Sequence, residues 1–127
     1  MTKQELELFE KRLQERGYKK CSAHNSADYA WYKSFGKSVR TKYRSNYQIA
    51  FSIYDFSPYV DRDCTLAKNP YRCHPTILLS RTVNERVDVD FTTQYYRTDI
   101  DKIESLAESF LQWAEKNVEI DGQSNKI

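Results

Sequence analysis

The sequence predicts an α+β fold: a two-layer sandwich in which an antiparallel sheet of about five strands carries the N- and C-terminal helices on one face. Three observations predict it. Residues 2–16 and 99–118 space their apolar residues three and four apart, which makes one helix face. Between them, Tyr47 to Phe56 alternates Ile49, Phe51 and Ile53 with Gln48, Ser52 and Tyr54, the period of a half-buried strand. Shorter stretches on either side repeat that alternation. The 127 residues suit a single domain, residues 1–118, followed by a tail at 119–127 that has no periodicity.

The first helix opens with Thr2 and Glu5 at capping-box spacing, so each side chain can satisfy a free N–H of the first turn. Leu6, Phe9 and Leu13 form its apolar stripe, which Leu8 widens or leaves. Gly17 is placed to end the helix in a left-handed conformation. Tyr18 to His24 follows as a first strand and Asn25 to Asp28 as a turn. Tyr29, Trp31 and Phe35 alternate with Ala30, Tyr32 and Ser34 in a second strand. Gly36-Lys37-Ser38 ends that strand, and the basic stretch Val39 to Asn46 leads into the strand from Tyr47. The two strands and this connection form a long hairpin.

Residues 57–75 contain all three prolines, Pro58, Pro70 and Pro75. Proline cannot donate to a sheet ladder, so these 19 residues are expected to be a loop. Loops of that length are uncommon and often functional. Thr76 to Val83 and Val87 to Thr93 supply the last strands, with their apolar residues at odd positions. Pairing Val83 with Val87 and Leu79 with Phe91 keeps those residues on one side and leaves Asn84-Glu85-Arg86 as a turn. One long bent strand has the same parity. The closing helix takes Thr98 or Asp99 as its cap and buries a face built from Ile103, Leu106, Ala107, Phe110, Leu111, Trp113 and Ala114. Trp31 and Trp113 are expected as core anchors.

The formal charge of +2 and a pI near 8.4 are too mild to imply nucleic acid by bulk charge alone. Met1 to Arg16 is charged throughout and lacks the apolar run of a secretory signal, and no stretch approaches the roughly 18 apolar residues of a membrane span. The cysteine count of three is odd, which fits a reducing compartment. A cytoplasmic location is expected.

Three constellations carry possible chemistry. Cys64, Cys73 and His74 lie in the proline-rich stretch beside Asp61 and Asp63, with Cys21 or His24 available as a further ligand. Thiolate and imidazole suit zinc, but eight residues separate the two cysteines, where structural sites use a close pair. They are weak metal candidates, and neither a metal nor another cofactor is expected. Between Tyr29 and Tyr54 there are five cations, Lys33, Lys37, Arg40, Lys42 and Arg44, and no Asp or Glu. Aromatic residues interleave with them, which is the composition that binds single-stranded nucleic acid. Asp88 and Asp90 share one side of a strand, which suits either a solvated face or a cation. Glycine-rich phosphate loops and a Ser-His-Asp arrangement are both missing.

The expectation is therefore a small non-catalytic binding or adaptor module. It acts through an aromatic-rich sheet face, to which Tyr18, Tyr32, Tyr54 and Phe56 contribute, and through the 57–75 loop. The candidate partner-binding residues are Tyr32, Lys33, Lys37, Arg40, Lys42, Tyr43, Arg44 and Tyr54. The expected partner is another protein, and a homodimer is compatible with the sequence. The alternative is single-stranded nucleic-acid binding through the basic hairpin 33–47.

Overall fold

The structure is a computed structural model that describes residues 1–23, 26–34, 46–59, 67–80, 86–90 and 97–117. The chain is α+β with an antiparallel sheet. Helix α1 spans Lys3–Glu15 and begins with the capping box. Thr2 Oγ1 accepts the Glu5 N–H at 3.1 Å, and Glu5 Oε1 accepts the Thr2 N–H at 3.0 Å. Leu6, Phe9 and Leu13 are buried, whereas Leu8 is 52 % exposed and lies off the stripe. Beyond the helix, Gly17 sits at φ 89°, a conformation that costs a residue with a Cβ.

The strands are β1 (Lys19–Cys21), β2 (Tyr29–Ser34), β3 (Asn46–Asp55), β4 (Tyr71–Ser80) and β5 (Arg86–Asp90). They pair antiparallel in sequence order, β1-β2-β3-β4-β5. Helix α2 spans Ile100–Asn117. Asp99 caps it: its Oδ1 accepts the Lys102 N–H at 3.1 Å. Among the described residues no helix is long and apolar enough to cross a membrane.

The register sets which residues share a face. Trp31 lies opposite Phe51, and Phe51 opposite Pro75; Ile49 faces Ile77, and Ile77 faces Val89. Directly opposed residues point the same way, so odd-numbered positions of β2 to β5 occupy one side. The core lies on that side. Trp31, Ile49, Phe51, Ile53, Cys73 and Ile77 cluster there with Leu6, Phe9 and Leu13 of α1 and Ile100, Ile103 and Ala107 of α2. Phe51 is fully buried and meets two rings edge-on, Phe9 and Tyr18, each at 5.5 Å between centroids. Trp31 is buried too, and its indole N–H donates to Glu10 Oε2 at 2.6 Å.

Four expectations need correction. The stretch 57–75 is not all loop: Ser57–Tyr59 is a 3₁₀ turn and β4 already begins at Tyr71. The N–H of Phe56 donates to the Pro70 carbonyl at 2.8 Å and closes the base of the connection. Pro75 nonetheless lies inside a strand: it pairs with Phe51 of β3, and among the described residues the β4–β5 ladder runs from Thr76 to Ser80.

The last two strands do form an antiparallel pair and not one bent strand, but Leu79 faces Val87 and Ser80 faces Arg86. Odd positions still face odd positions, but Arg86, expected in the turn, already lies in β5, while Asn84 and Glu85 are outside the described residues. A shift of four residues leaves every side chain on the same face, so burial alone cannot detect it.

Trp113 is not a core anchor: it is 52 % exposed and stacks on Phe110 at 5.9 Å. At 100° per residue it falls about 80° round the helix from Ile103, at the margin of the buried stripe. Tyr18 does not contribute to an exposed face. It is 2 % exposed and belongs to the core cluster.

Candidate binding face

The even-numbered side of the sheet places Ala30 and Tyr32 of β2, Gln48, Ala50, Ser52 and Tyr54 of β3, and Arg72, His74 and Thr76 of β4 in register. On β1, Lys19 faces Tyr32 and Cys21 faces Ala30, which adds both to this side. Its floor is made of small residues: Ala30, Ala50 and Ser52 are 0 %, 4 % and 3 % exposed. Around the floor stand larger side chains that keep partial access to solvent, namely Tyr32, Gln48, Tyr54, His74 and Thr76. Just past β3, the Phe56 ring stacks on Tyr54 at 6.3 Å and 11° between planes.

Local hydrogen bonding holds that corner. The Asp28 N–H donates to the Ile53 carbonyl at 3.0 Å, and Asp28 Oδ2 accepts the Asp55 N–H at 2.7 Å. Asp55 Oδ1 in turn accepts the Ser57 N–H at 2.8 Å. The start of β2 and the end of β3 are thereby tied together next to Tyr54 and Phe56. These contacts fix where the 57–70 connection leaves the sheet.

The candidate partner residues separate in the fold. Tyr32 and Tyr54 share the even side. Lys33 does not join them: its Nζ lies 3.8 Å from Glu104 Oε2 on α2 and 5.4 Å from the centre of the Tyr18 ring. Strand alternation, which sends neighbours to opposite faces, accounts for the split. Lys37, Arg40, Lys42, Tyr43 and Arg44 lie outside the described residues, as does Cys64.

The same alternation separates the metal candidates. Cys73 is buried on the core side and His74 lies on the even side, so these neighbours do not converge. Cys21 and His74 share the even face, but β2 and β3 lie between their strands, a separation of about 14 Å. No group of three His, Cys, Asp or Glu residues that could hold a metal occurs among the described residues. Burial pushes the Cys73 thiol far up, outweighing the nearby charges of Arg97 and the N-terminal amine that pull it down. Such a thiol stays protonated and is a poor nucleophile.

On the other side, Glu104 is a hub that spacing and periodicity do not disclose. Its Oε1 accepts from Arg16 Nη1 at 3.0 Å and from the Tyr18 hydroxyl at 3.4 Å, while Lys33 approaches Oε2. Arg16 also pairs with Asp101. The Tyr18 phenol is raised well above its ordinary value, first by burial and then by the Glu104 charge. Arg16 is separated from Glu104 by 88 positions, so no local sequence signal could have exposed the contact. A cleft of about 450 Å³ opens beside this hub, between α1 and the start of α2. Its lining mixes Arg12 and Arg16 with Glu15, Asp99 and Asp101, and Arg16 is already paired with Asp101, so the cleft offers neither a concentrated charge of one sign nor an apolar wall.

No family model matches this sequence, and neither a curated protein nor a solved structure matches it.

Proposed function

We propose that this chain is a small non-catalytic binding module whose working surface is the even-numbered sheet face, extended by the 57–70 connection beside it. In this account the domain has two layers, with both helices covering the odd side and the even side left for a partner. One observation carries it. Tyr32, Tyr54 and Phe56 stay partly accessible around a floor of Ala30, Ala50 and Ser52, while the buried residues of α1 and α2 belong to the cluster on the opposite side. Tyrosine gives large contact area for little conformational entropy, and partly open rings over a low floor suit an interface. Tyr59, 49 % exposed in the 3₁₀ turn, extends the aromatic surface into the connection.

The test is the double substitution Tyr32→Ser with Tyr54→Ser. Wild-type protein, purified gently from its native host, is expected to elute with a partner in size-exclusion chromatography with light scattering. The double variant is expected to keep its far-UV spectrum, to lose no more than a few degrees in Tm, and to elute alone. A wild-type monomer under those conditions, or a variant that retains its partner, rejects the assignment.

A further inference from the structure

We infer that the occupant of the even-numbered face is a second copy of this chain, related by a twofold axis that runs along β3; this rests on the binding-face proposal and names its partner. The charge pattern is the first reason. The register lines up Lys19, Tyr32, Ala50, Thr76 and Asp90 in one row across the five strands. Lys19 is exposed at one end of that row, and Asp90 stands at the other, with Asp88 two residues away on the same strand. At the far end of the face the signs are reversed. Asp28 flanks Tyr54 on the β2 side and Arg72 lies opposite Tyr54 on β4, both of them exposed.

A twofold axis along β3 lays β1 of each copy over β5 of the other and β2 over β4, while β3 meets itself. Lys19 then falls against Asp90 and Asp88 of the second copy, and Asp28 against Arg72. By symmetry each pairing occurs twice. A twofold axis across the strands would instead lay β1 on β1 and β5 on β5, which brings like charges together. A polyanion or a polycation would meet its own sign at one edge or the other, whereas a second copy meets the opposite sign at both.

Shape is the second reason. Along the axis the face is low, because Ala50 and Ser52 are small and buried, so the two β3 strands can close on each other. The Tyr32 ring of one copy comes over the shorter Thr76 of the other, in the same row. Tyr54 meets its own counterpart at the axis with Phe56 stacked beside it, which makes an aromatic cluster. Five strands wide, and running from Gln48 to Phe56, the patch measures roughly 24 by 26 Å. Two copies therefore bury about 1,200 Å², just above the roughly 1,000 Å² that a specific interface clears. An interface of that size suits a dimer that dissociates in the micromolar range.

The experiment is sedimentation equilibrium of the purified whole chain between 0.5 and 300 µM. The mass is expected to rise from the 15.1 kDa of one chain to twice that value. Tyr32→Ser with Tyr54→Ser should leave a monomer throughout the range. Lys19→Glu and Asp90→Lys should each weaken dimerisation at least about tenfold, and the two together should restore it to within about threefold of wild type. Within one chain these residues lie four strand spacings apart, about 19 Å, so restoration comes only from contacts between copies. Melting curves confirm that the variants fold. Hydroxyl-radical oxidation of Tyr32 and Tyr54, fast in the 0.5 µM monomer, should slow as the dimer forms.

A single-chain mass across the whole range overturns the inference. So does a dimer indifferent to the tyrosine pair, or a Lys19–Asp90 exchange that fails to restore association. The broader proposal is judged separately, on the complex from the native host. A chain that is monomeric when pure, but whose host complex with another protein is lost in the tyrosine double variant, overturns the second copy while keeping the binding face. One whose host complex persists in the double variant removes both.

Discussion

Replacing Phe51 by alanine is the sharpest test of where the core lies. Phe51 is fully buried at the centre of β3 and meets Phe9 and Tyr18 edge-on, so one side chain joins the sheet to α1 and to the segment leading into β1. Large-to-small changes of phenylalanine cost about 3–5 kcal/mol, and the loss of two oriented ring contacts places this site toward the upper end, about 4–5 kcal/mol. That is a large part of the roughly 5–15 kcal/mol by which a domain is stable. The comparison is Tyr32→Ala, one residue removed in the row that pairs with Ala50 but on the half-open side, where the cost should be about 1 kcal/mol. Urea unfolding followed by tryptophan fluorescence and far-UV circular dichroism measures both. With an m-value of about 2 kcal/mol/M, the Phe51 substitution moves the midpoint down by about 2 M and the Tyr32 substitution by about 0.5 M. If the alanine variant does not fold, Phe51→Leu, expected to cost about 1.5 kcal/mol, replaces it. A loss below about 1 kcal/mol at Phe51, or equal losses at the two sites, would refute the assignment of the core to the odd-numbered face.

Three further outcomes follow from named contacts. Glu104→Ala removes the acceptor shared by Arg16, Tyr18 and Lys33 and should cost about 1–2 kcal/mol, whereas Arg16→Ala, at the more exposed end of the network, should cost less than about 1 kcal/mol and even less in 1 M salt; urea titration at both ionic strengths decides. Burial holds Tyr18 and Cys73 protonated in the folded state, so their contribution is fully present below the unfolded values near 10 and 9 and is lost as the pH rises above them. Stability should therefore fall from about pH 9 upward, each group adding at most about 1.4 kcal/mol per pH unit to the slope, and Tyr18→Phe should flatten the decline above pH 10. Thr2→Ala removes the side-chain acceptor of the capping box and should lower stability by about 1 kcal/mol, visible in the same titration.

The parts of the fold legible in the sequence are those set by short-range period. The helix stripes Leu6–Phe9–Leu13 and Ile103–Ala107–Phe110 and the alternation of Ile49, Phe51 and Ile53 each follow from local geometry, and all appear in the core or against it. The cap was legible to within two residues, Thr98 or Asp99, because capping is local, and the structure selects Asp99. What the sequence hid is long-range or insensitive to burial. The β4–β5 register could slip by four residues without turning one side chain over. Pro75 looked like a loop marker because its tolerance depends on whether a neighbouring strand reaches that point. Lys33 looked like part of the basic hairpin because composition ignores that it alternates with Tyr32, and Glu104, which it meets, is 71 residues away. For the candidate site, the tyrosines were visible as residues on one strand face. The flat floor between them appears only when Ala30 is set beside Ser52, and Ala50 beside Tyr32, across the ladder.

The most direct measurement is hydroxyl-radical footprinting of the isolated protein with residue-level mass spectrometry. If the even-numbered face is the working surface, Tyr32, Tyr54 and Phe56 should be oxidised several-fold faster than Tyr18, Phe9 and Phe51, which the core encloses. If Tyr32 and Tyr54 are as protected as Phe51, both faces of the sheet are closed, and the binding face does not exist.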